Sequence, residues 1–468
     1  MLLERIYDED LAQASYLIGC QAEGVAIVVD PRRDVDEYLE LADQRGMRIV
    51  AVTETHFHAD YLSGTRELAE RTGAQMFVSD EGGPDWVYGD GFEAATRMRD
   101  GHVITVGNLT LQAVHTPGHT PEHMSFLLTD GAQADAPGFM LTGDFVFVGE
   151  VGRPDLLDEA AGGVDTRFQG AKDLFASLRD RFLTLPDYVQ VLPAHGAGSA
   201  CGKALGAVPT STVGYERAFA WWAPFLAADD EDGFVAALLD GQPDAHAYFA
   251  RMKRQNREGP ALLGPVAPIQ EQDAGALAAQ LERGERVLLD VRPHALVRTG
   301  TVAGALAVPS AAKAASFGAW VFDPERESTP ITVFAPDAET AREVRDHLLR
   351  VGIDTADGFV TGLDGLELVR PAVAARDEIE KLGPALILDV RTRNEFAAGH
   401  VPGARQLSGG RALWEQETLP RDGVILTYCQ SDARSCVTAS ALRRAGFDVV
   451  ELDGSFSGWV EAGLPVEV

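Results

Sequence analysis

Short apolar runs set the rhythm of the chain. Residues 25–29 (Val-Ala-Ile-Val-Val) and 49–52 (Ile-Val-Ala-Val) have the length of buried strands, and they alternate with helical patterns to about residue 255. The turns between them are rich in His, Gly and Asp. This alternation predicts an α/β layered domain. Around 251–268 the pattern breaks. Met252-Lys-Arg-Gln-Asn-Arg-Glu-Gly-Pro-Ala-Leu-Leu-Gly-Pro-Val-Ala-Pro268 is first basic and then Gly/Pro-rich, which reads as a linker.

Beyond it the apolar runs repeat. Val287-Leu-Leu-Asp-Val-Arg292 returns 99 residues later as Leu386-Ile-Leu-Asp-Val-Arg391, and Gly300-Thr-Val-Ala-Gly-Ala305 returns at the same offset as Gly399-His-Val-Pro-Gly-Ala404. Arg350-Val-Gly-Ile-Asp354 matches Arg444-Ala-Gly-Phe-Asp448 at an offset of 94. Two related domains of ordinary size are expected, each opening on a buried strand of a parallel sheet. The 468 residues are too many for one core.

Composition narrows the function classes. A formal net charge of −31 disfavours nucleic acid and anionic membranes, whose phosphates such a surface repels. The first twenty residues carry acids where a signal peptide needs a basic start, and no run approaches a spanning helix, so a cytoplasmic protein is expected. The four cysteines, at 20, 201, 429 and 436, are too sparse for a disulfide framework and are judged singly.

Metal-capable side chains cluster beside strand ends. Thr55-His56-Phe57-His58-Ala59-Asp60-Tyr61 follows the run at 49–52; His119 lies in Thr116-Pro-Gly-His-Thr120, Asp144 in Leu141-Thr-Gly-Asp144, and His195 in Pro193-Ala-His-Gly196. Four such loops in this order make an assembled metal site a better account than scattered surface histidines. His115 and His123 flank His119 and are read as structural.

This order resembles the metallo-β-lactamase superfamily, in its glyoxalase II and persulfide dioxygenase branch, over about the first 255 residues. That branch carries His-x-His-x-Asp-His, but here Tyr61 stands at the last position. A phenol with a pKa near ~10 is a poor substitute for a neutral imidazole, which favours one metal over two. The resemblance implies a single Fe(II) per chain on His56, His119 and Asp144. Two His and one carboxylate with open positions also suit non-haem iron by ligand chemistry. His58, Asp60, Tyr61 and His195 are then groups that orient ligands. Arg153 and Asp155 either pair with each other or shape the site. Lys203, Arg217, Arg251, Lys253 and Arg254 fall where relatives bind substrate, and cations there suit a carboxylate- or phosphate-bearing thiol. Cys201, six residues after His195 and near Lys203, is either a small buried hydrophobe or a sulfur acceptor with a lowered pKa.

A second site lies near the C-terminus. The run at 424–428 (Val-Ile-Leu-Thr-Tyr) leads into Cys429-Gln-Ser-Asp-Ala-Arg434, with a helix expected over 436–445. A cysteine on a tight loop at a helix start is placed to carry a thiolate or bind an anion. With Asp389-Val-Arg391 and Gly399–Ala404 this resembles the rhodanese sulfurtransferases over 373–468, and implies that Cys429 carries persulfide sulfur held by Arg434. At the 94-residue offset, Cys429 corresponds to Ala335 and Arg434 to Thr340, so the middle domain has no nucleophile.

The expectation is an α/β chain: a metallo-β-lactamase αββα sandwich at 1–258, an inactive rhodanese-like domain at 259–372, and an active one at 373–468. It resembles the bacterial persulfide dioxygenase–sulfurtransferase fusions. The implied reaction oxidises glutathione or coenzyme A persulfide with O2 to sulfite and thiol, with Cys429 forming or consuming thiosulfate, in a homo-oligomer (dimer or tetramer). Two rivals are a binuclear zinc thioester hydrolase and a non-enzymatic sulfur sensor.

Overall fold

The protein is described from a computed structural model over residues 1–159, 166–203 and 205–468. It divides into two compact units, Met1–Ala245 with Phe249–Pro265, and His246–Tyr248 with Val266–Val468.

The first unit is built on two six-stranded mixed sheets. One runs β1 (Leu2–Asp8), β2 (Gln13–Cys20), β3 (Val25–Val29), β4 (Arg48–Thr53), β5 (Gln75–Ser79) and β6 (Thr96–Met98) in sequence order. The other runs β7 (Val103–Val106), β8 (Leu109–His115), β9 (Met124–Asp130), β10 (Phe139–Gly143), β11 (Gln190–Pro193) and β12 (Ser211–Thr212). Alternation explains how they meet. Leu109, Leu111 and Ala113 of β8 and Phe126 and Leu128 of β9 pack against Tyr16, Ile18, Ile27 and Val29 of the first sheet.

The outer faces are covered by helices. Leu17, Val28 and Val52 pack on Tyr38, Ala42 and Leu68, while Met140 and Val191 pack on Leu174, Phe175 and Trp222. The result is the αββα layering expected from the sequence. Every residue of β2 and β3 is buried, as strands covered on both faces require.

The stretch 251–268 is not a linker throughout. Phe249–Glu258 is a helix whose Met252, Lys253 and Asn256 are buried. Asn256 donates to the carbonyls of His58 (2.8 Å) and Tyr61 (2.7 Å) and accepts from the Ser63 amide (2.9 Å). The basic residues belong to a helix packed under the His-rich loop, with Arg251 and Lys253 buried and Arg254 exposed.

The second unit holds β13 (Gln270–Glu271), β14 (Val287–Asp290), β15 (Thr301–Val302), β16 (Leu306–Ala307), β17 (Ile331–Phe334), β18 (Ala356–Val360), β19 (Leu368–Val369), β20 (Val373–Ala374), β21 (Leu386–Asp389), β22 (Arg405–Gln406), β23 (Ile425–Tyr428) and β24 (Val449–Leu452). Two parallel five-stranded sheets emerge, ordered β13-β18-β17-β14-β16 and β20-β24-β23-β21-β22. Position by position the two orders are the same, so the sequence repeat is a structural repeat. Among the described residues no helix is long and apolar enough to cross a membrane.

A candidate metal centre and a candidate sulfur-transfer loop

Strand ends of the two sheets carry the first site. The loop after β4 bears His56, His58, Asp60 and Tyr61; the β8–β9 turn bears His119; Asp144 follows β10 and His195 follows β11. A hydrogen bond from the Ala14 amide to the Ala194 carbonyl (2.7 Å) ties the last of these loops to β2. Gly143, at φ +53°, lets β10 turn into Asp144, and a Cβ there would meet Thr55 Oγ1 at 2.6 Å. Only glycine fits.

His56, His119 and Asp144 converge, with one ligand atom from each lying within 4.8 Å of the others. His56 Nε2 is 3.7 Å and His119 Nε2 3.6 Å from Asp144 Oδ2. The outer nitrogens fix the tautomers. Thr55 gives its hydroxyl hydrogen to Asp30 Oδ2 (2.9 Å), so its oxygen accepts from His56 Nδ1 (2.9 Å). His119 Nδ1 donates to the Arg153 carbonyl (3.0 Å). Both Nε2 atoms therefore present lone pairs inward, as ligands do. Burial holds both imidazoles well below their ordinary pKa, hence neutral. His119 Nε2 and Asp144 Oδ2 are buried with no hydrogen-bond partner among the described residues. Such atoms are costly without a ligand, and a divalent cation fits them.

The remaining groups brace this centre. His195 bridges Asp144 Oδ1 (2.6 Å) and Asp60 Oδ2 (2.9 Å); burial opposes its charge, but the two carboxylates outweigh burial and raise its pKa to about 10. His58 Nε2 lies between Asp30 Oδ1 (3.1 Å) and Glu54 Oε2 (3.2 Å), while its Nδ1 is buried with no hydrogen-bond partner among the described residues. Tyr61 hydroxyl accepts from Gln13 (3.1 Å) and donates to the Asp30 carbonyl (3.2 Å). It is spent on the scaffold. His123 accepts from the Asp144 amide (3.2 Å), and His115 bonds the Pro121 carbonyl (2.8 Å), both framework contacts.

The cations divide sharply. Lys253 is buried, and its Nζ has no hydrogen-bond partner among the described residues. It lines a cavity of about 760 Å³ together with Arg254, Arg257 and Trp86, bordered by Phe57 and Gly118 from the two histidine loops. Arg153 pairs with Asp155 (2.9 Å) and donates to the Ala200 carbonyl (3.0 Å), and its side chain does not line the cavity. Arg251 is buried in the same helix as Lys253. Arg217 and Lys203 do not reach the cavity: Arg217 pairs with exposed Asp187 and the Leu183 carbonyl, and Lys203 bonds the Asp240 carbonyl. Cys201 sits with Asp60 and His195, their ligand atoms within 4.8 Å of one another. Burial, then the Asp60 and Asp144 carboxylates, push its thiol well up, while Lys203 bonds the Asp240 carbonyl. Cys20 is in the inter-sheet core.

In the second unit, β23 ends at Tyr428, Cys429 follows, and the helix starts at Ala433, three residues before the sequence pattern suggests. Asp432 turns the loop at φ +71°. Ser455, absent from the sequence reading, is its hub: its hydroxyl oxygen accepts from the amides of Cys429 (3.3 Å) and Asp432 (3.2 Å), donates to Asp432 Oδ1 (2.8 Å), and lies 3.9 Å from Cys429 Sγ. Arg434 is held by Glu395 in a two-pronged pair (2.8 and 2.7 Å). Its guanidinium is engaged by a carboxylate. Cys436 packs against Val297 and Ala307.

Residues 8–195 match the metallo-β-lactamase superfamily and residues 372–462 the rhodanese-like domain. A crystal structure of a metallo-β-lactamase from Staphylococcus aureus is 34% identical, spans 77% of this chain and 98% of its own, and superposes with a TM-score of 0.66. The chain belongs to the metallo-β-lactamase superfamily and carries a rhodanese-like domain. It is also similar to the mitochondrial persulfide dioxygenase ETHE1, 27% identical to the Bos taurus protein over 199 residues and to the Homo sapiens protein over 197, in each case 42% of this chain and 68% of that protein.

Proposed function

We infer that this superfamily member oxidises a low-molecular-weight persulfide at one iron and exchanges sulfur through Cys429. The observation that carries the reading is the convergence of two lone-pair nitrogens and one unpartnered carboxylate oxygen beside a cation-lined cavity. A ferrous ion held by His56, His119 and Asp144 would supply the redox chemistry that joins O2 to the outer sulfur of R–S–SH. Atoms balance with one water: R–S–SH, O2 and H2O give R–SH, sulfite and two protons.

The protein's own part is orientation and exclusion. Thr55 and the Arg153 carbonyl keep both imidazoles facing inward, and His195 turns Asp144 so that Oδ2 stays free. The buried Lys253 ammonium and the neighbouring Arg254 and Arg257 suit the anionic arms of glutathione or coenzyme A. Residues 1–258 form the oxygenase, 259–372 a sulfurtransferase relative without its nucleophile, and 373–468 the sulfurtransferase. A persulfide on Cys429 attacked by sulfite leaves thiosulfate and the free thiol; the reverse regenerates persulfide.

Metal analysis with O2 uptake on glutathione persulfide tests the oxygenase half. One iron per chain and persulfide-dependent uptake are expected. Two zinc ions per chain with oxygen-independent cleavage of a glutathione thioester would sink it and favour a hydrolase.

A further inference from the structure

The middle part of the second unit, without a cysteine of its own, reaches into the cysteine loop of the C-terminal part. Arg298, in the helix His294–Thr299, donates to Asp432 Oδ1 (3.1 Å) and to Glu451 Oε2 (2.9 Å), and lies 3.8 Å from Asp453. His294 Nε2 stands 4.0 Å from the other Asp432 oxygen. Asp432 is the residue that turns the loop through a left-handed conformation, and its Oδ1 accepts from Ser455, the hydroxyl that holds the Cys429 amide. A continuous path therefore runs from guanidinium to carboxylate to hydroxyl to the backbone of the cysteine. Glu451 is fully buried and has a second cation of its own, Arg443 at 3.0 Å, so Arg298 is not needed merely to neutralise it.

We propose that Arg298 is a positioning residue for sulfur transfer at Cys429, acting across the repeat through Asp432. The inference rests on the reading of Cys429 as a sulfur carrier. Two physical effects follow. The loop keeps its amides aimed only while Asp432 is anchored on both sides. Cancelling the Asp432 charge also removes a carboxylate that would repel sulfite or a persulfide anion approaching the sulfur. No covalent step is added. Arg298 moves no proton and touches no substrate.

The test is a double-mutant cycle in the full-length protein: wild type, Arg298→Met, Asp432→Asn and the double variant, with Cys429→Ser as reference. Two readouts are taken, sulfur transfer from glutathione persulfide to sulfite and the rate at which iodoacetamide alkylates Cys429. Arg298→Met is expected to slow transfer about 10-fold with a raised KM for sulfite, and to change the alkylation rate severalfold, while O2 uptake stays within about twofold. In the Asp432→Asn background the same substitution is expected to change either readout by less than about twofold, because its route is already cut. Should Arg298→Met weaken both readouts by the same factor in both backgrounds, or leave both unmoved, the positioning role is wrong. If Arg298→Met does not fold, Arg298→Lys, which keeps a cation near Glu451 but cannot fork to Asp432, carries the cycle with a smaller effect of the same pattern. The two ideas fail separately. Transfer that survives Cys429→Ser defeats the sulfur-carrier reading, whereas an Asp432-dependent alkylation change without transfer still supports the positioning of the loop.

Discussion

The two sheets of the second unit share one strand order and part company at one loop. After β17 the chain reads Ala335-Pro336-Asp337, and the Asp337 carboxylate accepts from the Thr340 amide (2.8 Å), capping the helix Ala338–Arg350. After β23 it reads Cys429-Gln430-Ser431-Asp432, and the helix Ala433–Arg444 begins with no side-chain cap. The Asp432 carboxylate instead faces sideways, to Ser455 and Arg298. One loop closes its helix and is finished. The other leaves the helix start open beside a buried thiol, a less stable arrangement that makes sense where a ligand anion is to be received. A duplicated fold thus sets a capped helix start beside an uncapped copy of it.

The largest way to break this comparison is at the sulfur itself. Cys429→Ser should abolish sulfur transfer, by roughly 10³-fold or more, because an alkoxide cannot carry the sulfur. Added to Cys429→Ser, Ala335→Cys should restore none of it, because the capped loop offers no open helix start. Transfer rates for the two variants decide the matter, and activity gained from Ala335→Cys would show that loop geometry is irrelevant.

A second test separates the units. Removing the metal with a chelator, or replacing His119 by Ala, should drop O2 uptake to background, since two of three protein ligands do not hold the ion. Sulfur transfer from glutathione persulfide to sulfite should stay within about twofold. A parallel loss of both activities would mean that Cys429 depends on the metal centre, and that the second unit is no independent catalyst.

Acid sharpens the contrast further. Burial opposes charge on Glu395, yet Arg434 together with the Thr392 amide and hydroxyl overturns it and holds the pKa at about 2. The folded value lies below the ordinary 4.5, so the pair stabilises above about pH 5 and its contribution is lost as pH falls toward 2. With side chains 26% and 32% exposed, solvent screening cuts the pair to about 1 kcal/mol. Melting curves of wild type and Glu395→Gln should therefore differ near pH 7, draw together below about pH 5 and converge only near pH 2. The middle part has Thr340 where Arg434 stands, so it lacks this ion pair.

How much of this could be read from sequence depends on the range of the contact. His56, His119, Asp144 and His195 each sit next to a turn at a strand end, so local pattern located them and the layered sheets brought them together. The repeat exposed the second unit because strands of one sheet recur in order. Lys253 against Arg217 was not separable, since both are basic positions on helices and only packing aims one at a cavity and the other at Asp187. Arg298 lies 134 residues from Asp432, and Ser455 is an ordinary Ser-Gly neighbour. Linker composition misled for the same reason: in the helix Phe249–Glu258 the fold buries Arg251 and Lys253 and leaves Arg254 exposed, which composition does not distinguish.

The smallest expected effect bears most directly on the resting loop. Asp337 is exposed, and its carboxyl is held below its ordinary range chiefly by the Thr340 amide. Asp337→Ala removes a helix cap and nothing else that the fold uses. It should lower the melting temperature of the second unit by ~1–3 °C at neutral pH. Because the folded pKa is depressed, the difference from wild type should shrink as pH falls below the ordinary carboxyl range. Asp432→Ala is the matched change in the cysteine loop, where the carboxylate caps no helix but binds Ser455 and Arg298. Its cost should appear in sulfur transfer ahead of melting. If both substitutions lower melting equally and leave transfer alone, the two loops differ in sequence but not in physical role.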